Sequence, residues 1–266
     1  MTLPSARGRA GAAAAPPEGL AHRLRRAGSS ELRRLTADHL RELTLREVRQ
    51  ILLNPYVTAE VIEELVLARH LLSGYAMRQA LARHRRTPEA AALRFLPGLF
   101  WRDLLEITLD VCLRPAVRRS AEKYLVQRLP ALAVGEKVSL ARRASATVIA
   151  ELRRDPSPRV VTALLDNPRL TEQLLTPLAV RSTSPRVLDL VAQSPRWGRL
   201  YEIRAALARN VASPFRAVFA ILPTLRRDDV AALAADEQQS TVVRNRAAEV
   251  LAAWSRPKID PPPGEG

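Results

Sequence analysis

The feature that most constrains this chain is an internal repeat. Residues 80–125 align with residues 206–251 at a constant offset of 126, without a gap, and 15 of the 46 aligned positions are identical. The identical pairs include Pro88/Pro214, Pro97/Pro223, Asp103/Asp229, Asp110/Asp236 and Arg118/Arg244. A self-match of this length at a fixed offset indicates a repeat architecture. The offset is three times 42, and about 40 to 47 residues is the period of paired-helix repeats.

The local patterns predict helices almost throughout. Residues 44–53 and 58–72 both place apolar side chains on one helical face after a threonine that suits an N-cap. Four prolines follow serine or threonine, a pattern that favours a helix start with the hydroxyl residue as N-cap and proline as the first helical residue. These pairs are Thr87-Pro88, Ser157-Pro158, Ser184-Pro185 and Ser213-Pro214. No segment alternates as a half-buried strand does, so the expected fold class is all-α.

Three segments carry a family resemblance. They read LRRDPSPRVVTALLDNP from Leu152, MRQALARHRRTP from Met77 and IRAALARNVASP from Ile203. They resemble the pattern L-x-x-D-x-x-P-x-V-R-x-A-L-A-x-N-x-x-T-P of HEAT-like repeats and of the related bacterial leucine-rich variant repeats. The resemblance covers residues 44–254 and implies an α-solenoid, a superhelix of stacked helical pairs. The spacing is irregular, and the cysteine-rich cluster-binding segment of the prototype leucine-rich variant protein has no counterpart here.

The predicted organisation is a repeat domain of residues 31–255 between two disordered tails, residues 1–30 and 256–266. The first tail is basic, and the second is rich in proline. Residues 1–17 weakly resemble an organellar transit peptide, but a disordered tail is the preferred interpretation. The chain has neither a signal-type apolar segment nor an apolar stretch of about 18 residues, so we expect a cytoplasmic protein without a membrane span.

Motifs for cofactors or metals are missing from the sequence, so no cofactor is expected. There is no phosphate-cradling glycine loop, no metal-ligand spacing among the four histidines and no nucleophile elbow. The single cysteine, Cys112, lies in the apolar run 107–113 and is predicted to be a buried structural thiol. Asn54, Asn167 and Asn210 are predicted to end helices, either in the left-handed conformation or by capping the next turn.

The resemblance also implies a structural role for the recurring charged residues. In HEAT-like arrays, the aspartate and arginine of the motif form a ladder of hydrogen bonds between neighbouring repeats. The matching residues are Asp110, Arg118, Asp236 and Arg244. HEAT-like DNA glycosylases use a catalytic aspartate beside aromatic side chains. Here Trp101 and Asp103 lie two residues apart, which places them on different faces of a helix and favours a packing role for Trp101.

The net charge of +15 indicates an affinity for anionic partners. We select six arginines as the candidate anion- or partner-binding set: Arg142, Arg143, Arg153, Arg154, Arg181 and Arg186. The leading functional prediction is a non-enzymatic scaffold that binds a protein partner through the concave helical face of the solenoid. The alternatives are a nucleic-acid-binding protein, which requires these arginines to form one stripe, and the glycosylase, which requires Asp103 to open onto that groove.

Overall fold

The structure of the protein, a computed structural model, describes residues 19–256. Within that range it contains 17 α-helices, four 3₁₀ helices and no strand, so the all-α prediction is confirmed. The α-helices are α1 Leu20–Arg26, α2 Ser29–His39, α3 Leu45–Leu53, α4 Ala59–Leu67, α5 Tyr75–Ala82, α6 Glu89–Phe95, α7 Trp101–Leu109, α8 Pro115–Arg128, α9 Val134–Ala141, α10 Ala146–Leu152, α11 Pro158–Leu165, α12 Glu172–Arg181, α13 Pro185–Gln193, α14 Tyr201–Arg209, α15 Phe215–Ile221, α16 Arg227–Ala235 and α17 Thr241–Ser255. The 3₁₀ helices are Leu71–Ser73, Leu96–Gly98, Leu129–Ala131 and Leu222–Thr224.

None of the helices in residues 19–256 is long and apolar enough to cross a membrane. The chain divides into two compact units. Within the described residues, unit 1 comprises residues 19–103 and Asp110–Ser120, and unit 2 comprises Leu104–Leu109 and residues 121–256. The core of each described part is built mainly from leucine, valine, isoleucine and alanine, and its buried aromatic side chains are Phe95 in unit 1 and Trp197 in unit 2. Small aliphatic side chains let short helices pack closely, and that packing supplies the stability that short helices lack on their own.

Many of the helices are followed by one kind of turn, in which a polar side chain accepts a hydrogen bond from the amide two residues later. We call its first residue the turn-closing residue. Asn54, Asp110, Asp155, Asn167, Asn210 and Asp236 accept through Oδ1 at 2.7–3.0 Å, and His84 accepts through Nδ1 at 3.3 Å. Because no non-glycine residue in the described range has a positive φ, the left-handed alternative for the three asparagines is wrong and the capping alternative is confirmed.

The asparagines at this position also connect each turn to an earlier helix. The Nδ2 group of Asn54 donates to the carbonyls of Leu24 and Ala27 at 2.8 and 2.9 Å. The Nδ2 group of Asn167 donates to the carbonyls of Ala141 and Ala144 at 2.6 and 3.1 Å. The carbonyls of Leu24, Ala27 and Ala141 lie at the ends of helices, where no intrahelical donor reaches them, and that of Ala144 lies in the connection between α9 and α10. Each buried amide group therefore satisfies helix-end acceptors that water cannot reach.

Equivalent hydrogen bonds recur at the sequence offset of 126. The hydroxyl of Tyr75 donates to Asp103 and accepts from the Phe100 amide at 2.9 Å. At the equivalent positions, the hydroxyl of Tyr201 donates to Asp229 and accepts from the Arg226 amide at 3.1 Å. Phe100 and Arg226 precede α7 and α16, and neither has a side chain that can cap a helix. The tyrosine thus bridges the amide of the residue before the helix to the carboxylate at the third helical position.

The four hydroxyl–proline pairs divide into two types. Ser157 and Ser184 are N-caps with proline as the first helical residue, as predicted. Before α6 and α15, by contrast, proline itself occupies the N-cap, so the prediction for Thr87 and Ser213 is wrong. Their hydroxyls instead donate to the carbonyls of Leu81 and Leu207, both at 2.6 Å. The hydroxyls are buried, and a carbonyl six residues earlier is the acceptor they reach.

The predicted disordered tail of residues 1–30 is too long at its C-terminal end. Residues 20–26 form α1, which packs on α3. Leu24 is fully buried, and its carbonyl accepts a hydrogen bond from Asn54. Residues 1–18 and 257–266 lie outside the described residues. The prediction for Cys112 is also wrong. Its thiol is exposed, because α7 ends at Leu109 and Cys112 lies in the turn that Asp110 closes.

Candidate anion-binding groove

A groove of about 240 Å³ lies within unit 2, bordered by the turn between α10 and α11, the end of α12 and the start of α13. Its basic residues are Arg153, Arg154 and Arg181. Its apolar lining comes from Pro156, Pro177, Leu178 and Val187, and its other polar residues are Asp155, Ser182, Thr183 and Ser184. Three of the six predicted arginines are therefore close together, although they come from segments up to 28 residues apart in the sequence.

The local structure explains how two elements bring these arginines together. Arg153 is the C-cap of α10, and Arg181 is the last residue of α12. Cations are favoured at helix C-termini, where they face the carbonyl ends of the peptide dipoles. One guanidinium nitrogen of Arg153 also donates to the carbonyl of Leu174 at 3.2 Å, which connects α10 to α12. Pro177, inside α12, lacks a backbone N–H, so the carbonyl of Gln173 four residues earlier has no donor within the helix.

The carboxylates near the groove have partners of their own. Asp155 lies 2.9 Å from Nζ of Lys137 and accepts the amide of Ser157 at 2.9 Å. Glu151 lies 2.8 Å from Nη1 of Arg154. These two carboxylates are balanced by Lys137 and Arg154, so the charges of Arg153 and Arg181 are not neutralised by them. The groove consequently has an excess of positive charge.

The start of α13 adds further donors to the same groove. Ser184, the N-cap, and Val187 line it, together with the two hydroxyl residues that precede the helix. Among the described hydrogen bonds, neither the amide of Thr183 nor that of Arg186 acts as a donor. Helix N-termini favour anions because their amides are not used by the helix and the dipole is positive there. Amides, hydroxyls and guanidinium groups therefore converge on one open cavity.

The other three predicted arginines do not line the groove. Arg142 is the exposed C-cap of α9. Arg143 is paired with Glu106 at 2.7 Å. Arg186 is exposed on the first turn of α13, beside the groove but not among its lining residues. The structure brings half of the predicted set together and assigns Arg143 to an ion pair.

The four predicted ladder residues occupy equivalent environments in pairs. Asp110 and Asp236 are turn-closing residues, which accept the amides of Cys112 and Gln238. Arg118 and Arg244 each lie at the fourth position of a helix. Their Nε atoms are buried and have no hydrogen-bond partner within the described residues. The hydrogen bonds of the two aspartates in the described residues are with backbone amides and not with these arginines.

Asp103 has two donors from α5, the hydroxyl of Tyr75 and the side-chain amide of Gln79. Its equivalent, Asp229, accepts from Tyr201 and Arg209. The hydrogen bond from Tyr201, and then the charge of Arg209, hold the pKa of Asp229 below its ordinary value, although partial burial opposes them. The same carboxylate thus connects two helices at both positions of the repeat.

Trp101 is half-buried, and the guanidinium carbon of Arg102 lies 5.3 Å from its ring centroid. The described residues contain no group of three metal-ligating side chains.

Comparison with protein-family models, curated proteins and solved structures finds no match for this chain.

Sequence reasoning missed the polar residues of the groove. A signal for them is present in the run Arg181-Ser182-Thr183-Ser184-Pro185, which places hydroxyls and amides directly before a predicted helix start. What this arrangement can do chemically is bind an anion, because it offers several hydrogen-bond donors and uncompensated positive charge.

Proposed function

We propose that this chain is an α-solenoid of HEAT-like type that binds a protein partner and acts without catalysis or a cofactor. Support for stacked repeats comes from the asparagines that connect each turn to an earlier helix. Asn210 makes the same connection as Asn54 and Asn167, with its Nδ2 group 2.8 Å from the carbonyl of Ala179. A recurring contact between successive helical pairs is what a quasi-linear array requires.

The observation that carries the proposed binding function is the surface at the end of α12. We define the α12-end surface as Val180, Arg181 and Val211. Val180 is 53 % exposed and Val211 is 66 % exposed. They flank one connection, since the Nδ2 group of Asn210 donates to the carbonyl of Val180 at 3.1 Å and Val211 follows Asn210 directly. Exposed apolar side chains beside an arginine are typical of the centre of a protein interface.

A scaffold role for Asp103 follows from its contacts. Its carboxylate connects α5 to the start of α7, as Asp229 connects α14 to the start of α16. Equivalent carboxylates make the same connection at both positions of the repeat. This favours a structural role for Asp103 over a role as a unique reaction centre. The paired arginines support a protein over a nucleic-acid partner. Arg143, Arg209 and Arg216 are each held by a carboxylate and offer less charge to a phosphate backbone.

The test is affinity capture with the tagged full-length chain in its source organism. We expect the wild type to recover a partner that the double variant Val180→Asp/Val211→Asp does not recover, because carboxylates in an apolar contact cost binding energy. Val111→Asp is the matched control, since Val111 is 80 % exposed and belongs to unit 1. Equal loss in the control and the double variant would contradict the assignment of the interface.

The nucleic-acid alternative is tested with the same protein. Fluorescence anisotropy of duplex and single-stranded DNA is measured across a salt series, for the wild type and for Arg153→Glu/Arg181→Glu. Tight binding with a steep salt dependence, lost in the charge-reversed variant, would overturn the protein-partner proposal in favour of phosphate-backbone binding.

A further inference from the structure

The groove has more donors than the fold uses. Arg181 is exposed, and no hydrogen bond or ion pair of its side chain is found in the described residues. Arg153 uses one nitrogen for the carbonyl of Leu174, although a guanidinium carries five N–H groups. Within the described residues, the amide of Thr183, which also lines the groove, has no acceptor. Two cations and one amide of unit 2 therefore remain available around one cavity.

This set of donors fits a phosphate monoester better than a carboxylate. A phosphate monoester carries a charge of about −1.5 to −2 and three terminal oxygens, so it can accept from several donors at once. A carboxylate has one negative charge and two oxygens. Clusters of arginine beside amide donors are a general means of recognising phosphorylated side chains.

The rest of the groove fits a phosphorylated residue of a protein. Pro177, Leu178 and Val187 provide an apolar wall that the aliphatic part of such a residue can contact. Arg181 lines the groove and belongs to the α12-end surface, whereas Val180 lines a separate cavity with Ala206 and Asn210, so Arg181 is the residue that the two surfaces share. A continuous polyanion is less suited, because Arg154 and Lys137 are paired with Glu151 and Asp155 and offer it less charge.

We propose that this groove binds a phosphorylated serine or threonine of the partner protein, held by Arg153, Arg181 and the amide of Thr183, which precedes α13. This assignment rests on the proposed function, since it places the modified residue in the segment that covers the α12-end surface. Phosphorylation of the partner then controls association, because the uncharged hydroxyl residue leaves both guanidinium groups without an anion.

The test uses the full-length chain and a fluorescein-labelled library of degenerate peptides with phosphoserine fixed at the centre. The same library with serine is measured in parallel by anisotropy. We expect binding of the phosphorylated library only. Arg181→Gln should weaken it about tenfold or more, since a hydrogen bond to a charged group contributes about 1.5–3 kcal/mol. Arg153→Gln should do the same, and Arg142→Gln should change nothing, because Arg142 is exposed outside the groove.

Each alternative result overturns the proposal. Equal binding of the two libraries would show that the phosphate group does not contribute to binding. Equal weakening of peptide binding by Arg142→Gln and Arg181→Gln would show that the net positive charge, and not the groove, attracts the peptide. Inorganic phosphate that binds as tightly as the library would assign the groove to a free anion, and duplex DNA that binds more tightly in an Arg181-dependent manner would assign it to nucleic acid. Arg181 is exposed, so its variant tests the site without disturbing the core.

The two proposals fail separately. Suppose partner capture is lost in Val180→Asp/Val211→Asp, while Arg181→Gln captures normally and the phosphorylated library does not bind. That result would support the protein interface and contradict the phosphate site. Suppose instead that the phosphorylated library binds, while affinity capture recovers no partner that is lost in Val180→Asp/Val211→Asp. That result would contradict the proposed protein interface and leave the phosphate site supported.

Discussion

The turn-closing residue is the side chain on which this fold most depends. Asn167 is fully buried, donates to two carbonyls and accepts one amide. Its amide group provides two N–H donors and one acceptor oxygen, and all three are used. Aspartate can reproduce the acceptor half of this arrangement, as at Asp110, but not the donor half.

We therefore predict that Asn167→Ala lowers the free energy of unfolding by about 2–4 kcal/mol, because two buried carbonyls lose their donor. Asn167→Asp should cost at least as much, since it places a carboxylate against those carbonyls. Urea denaturation of the full chain measures both. Asn245 lies on the exposed face of α17, so Asn245→Ala is the control. It should lower the free energy of unfolding by well under about 1 kcal/mol. Equal effects at the two positions would contradict the role of the connection.

His84 occupies the position equivalent to Asn210, and it titrates. Burial, and then the charges of Arg85 and Arg86, lower the pKa of its imidazole below the ordinary 6.5, against a hydrogen bond to Leu52 that raises it. The unfolded chain consequently binds a proton at a higher pH than the folded chain does. The stability that neutral His84 provides is present above about pH 6.5 and is lost as the pH falls through the folded pKa.

For His84→Asn, we predict a weaker loss of stability between about pH 7 and about pH 5 than in the wild type, since an asparagine keeps the acceptor for the Arg86 amide and does not titrate. Urea denaturation at several pH values gives the two slopes. Parallel slopes would show that another group is responsible for the pH dependence.

At the scale of elements, α1 shows how composition can hide a helix. Its sequence LAHRLRR has only two leucines among charged residues, and the basic N-terminal context favoured a tail. Leu20 and Leu24 are nevertheless four residues apart and share one face. The pattern was present, but α1 is stabilised by contacts with α3 and with Asn54, which come from distant sequence.

A chain that begins at Glu31 should therefore be less stable than one that begins at Gly19. The shorter chain loses the buried Leu24 and both acceptors of Asn54. Removal of one buried leucine side chain alone costs about 2–5 kcal/mol. Hydrogen exchange of the amides in α3 compares the two chains. Equal protection would indicate that α1 contributes nothing to unit 1.

Other elements were predictable because their signals are local. The stripe Val61, Ile62, Leu65 and Val66 is buried as expected. The starts of α11 and α13 follow from serine before proline. The groove was not predictable as a unit, since Arg153 and Arg181 meet only after α10 and α12 pack together. Charge density in the sequence selected six arginines, of which three line the groove, and it did not show that Arg143 pairs with Glu106.

At the scale of the whole molecule, the net charge of +15 opposes compaction, because like charges repel one another over distances that low salt does not screen. We predict that the melting temperature rises as NaCl increases from about 20 mM to about 200 mM, where the Debye length falls to about 7–10 Å. The exposed ion pairs lose little at the same time, since each contributes about 1 kcal/mol or less. A melting temperature that falls with NaCl would mean that ion pairs outweigh the repulsion.

The asparagine at the end of a helix has a consequence for how such a chain can lengthen. The residue carries its own donors, and the acceptors it needs are the carbonyls that any helix leaves open at its end. A duplicated segment therefore carries the asparagine that makes the connection, and it finds acceptor carbonyls at the end of the helix that precedes it. No special backbone conformation has to be inherited, since the described residues use none. Growth by duplication is then favoured where this side chain is an amide, as at Asn54, Asn167 and Asn210.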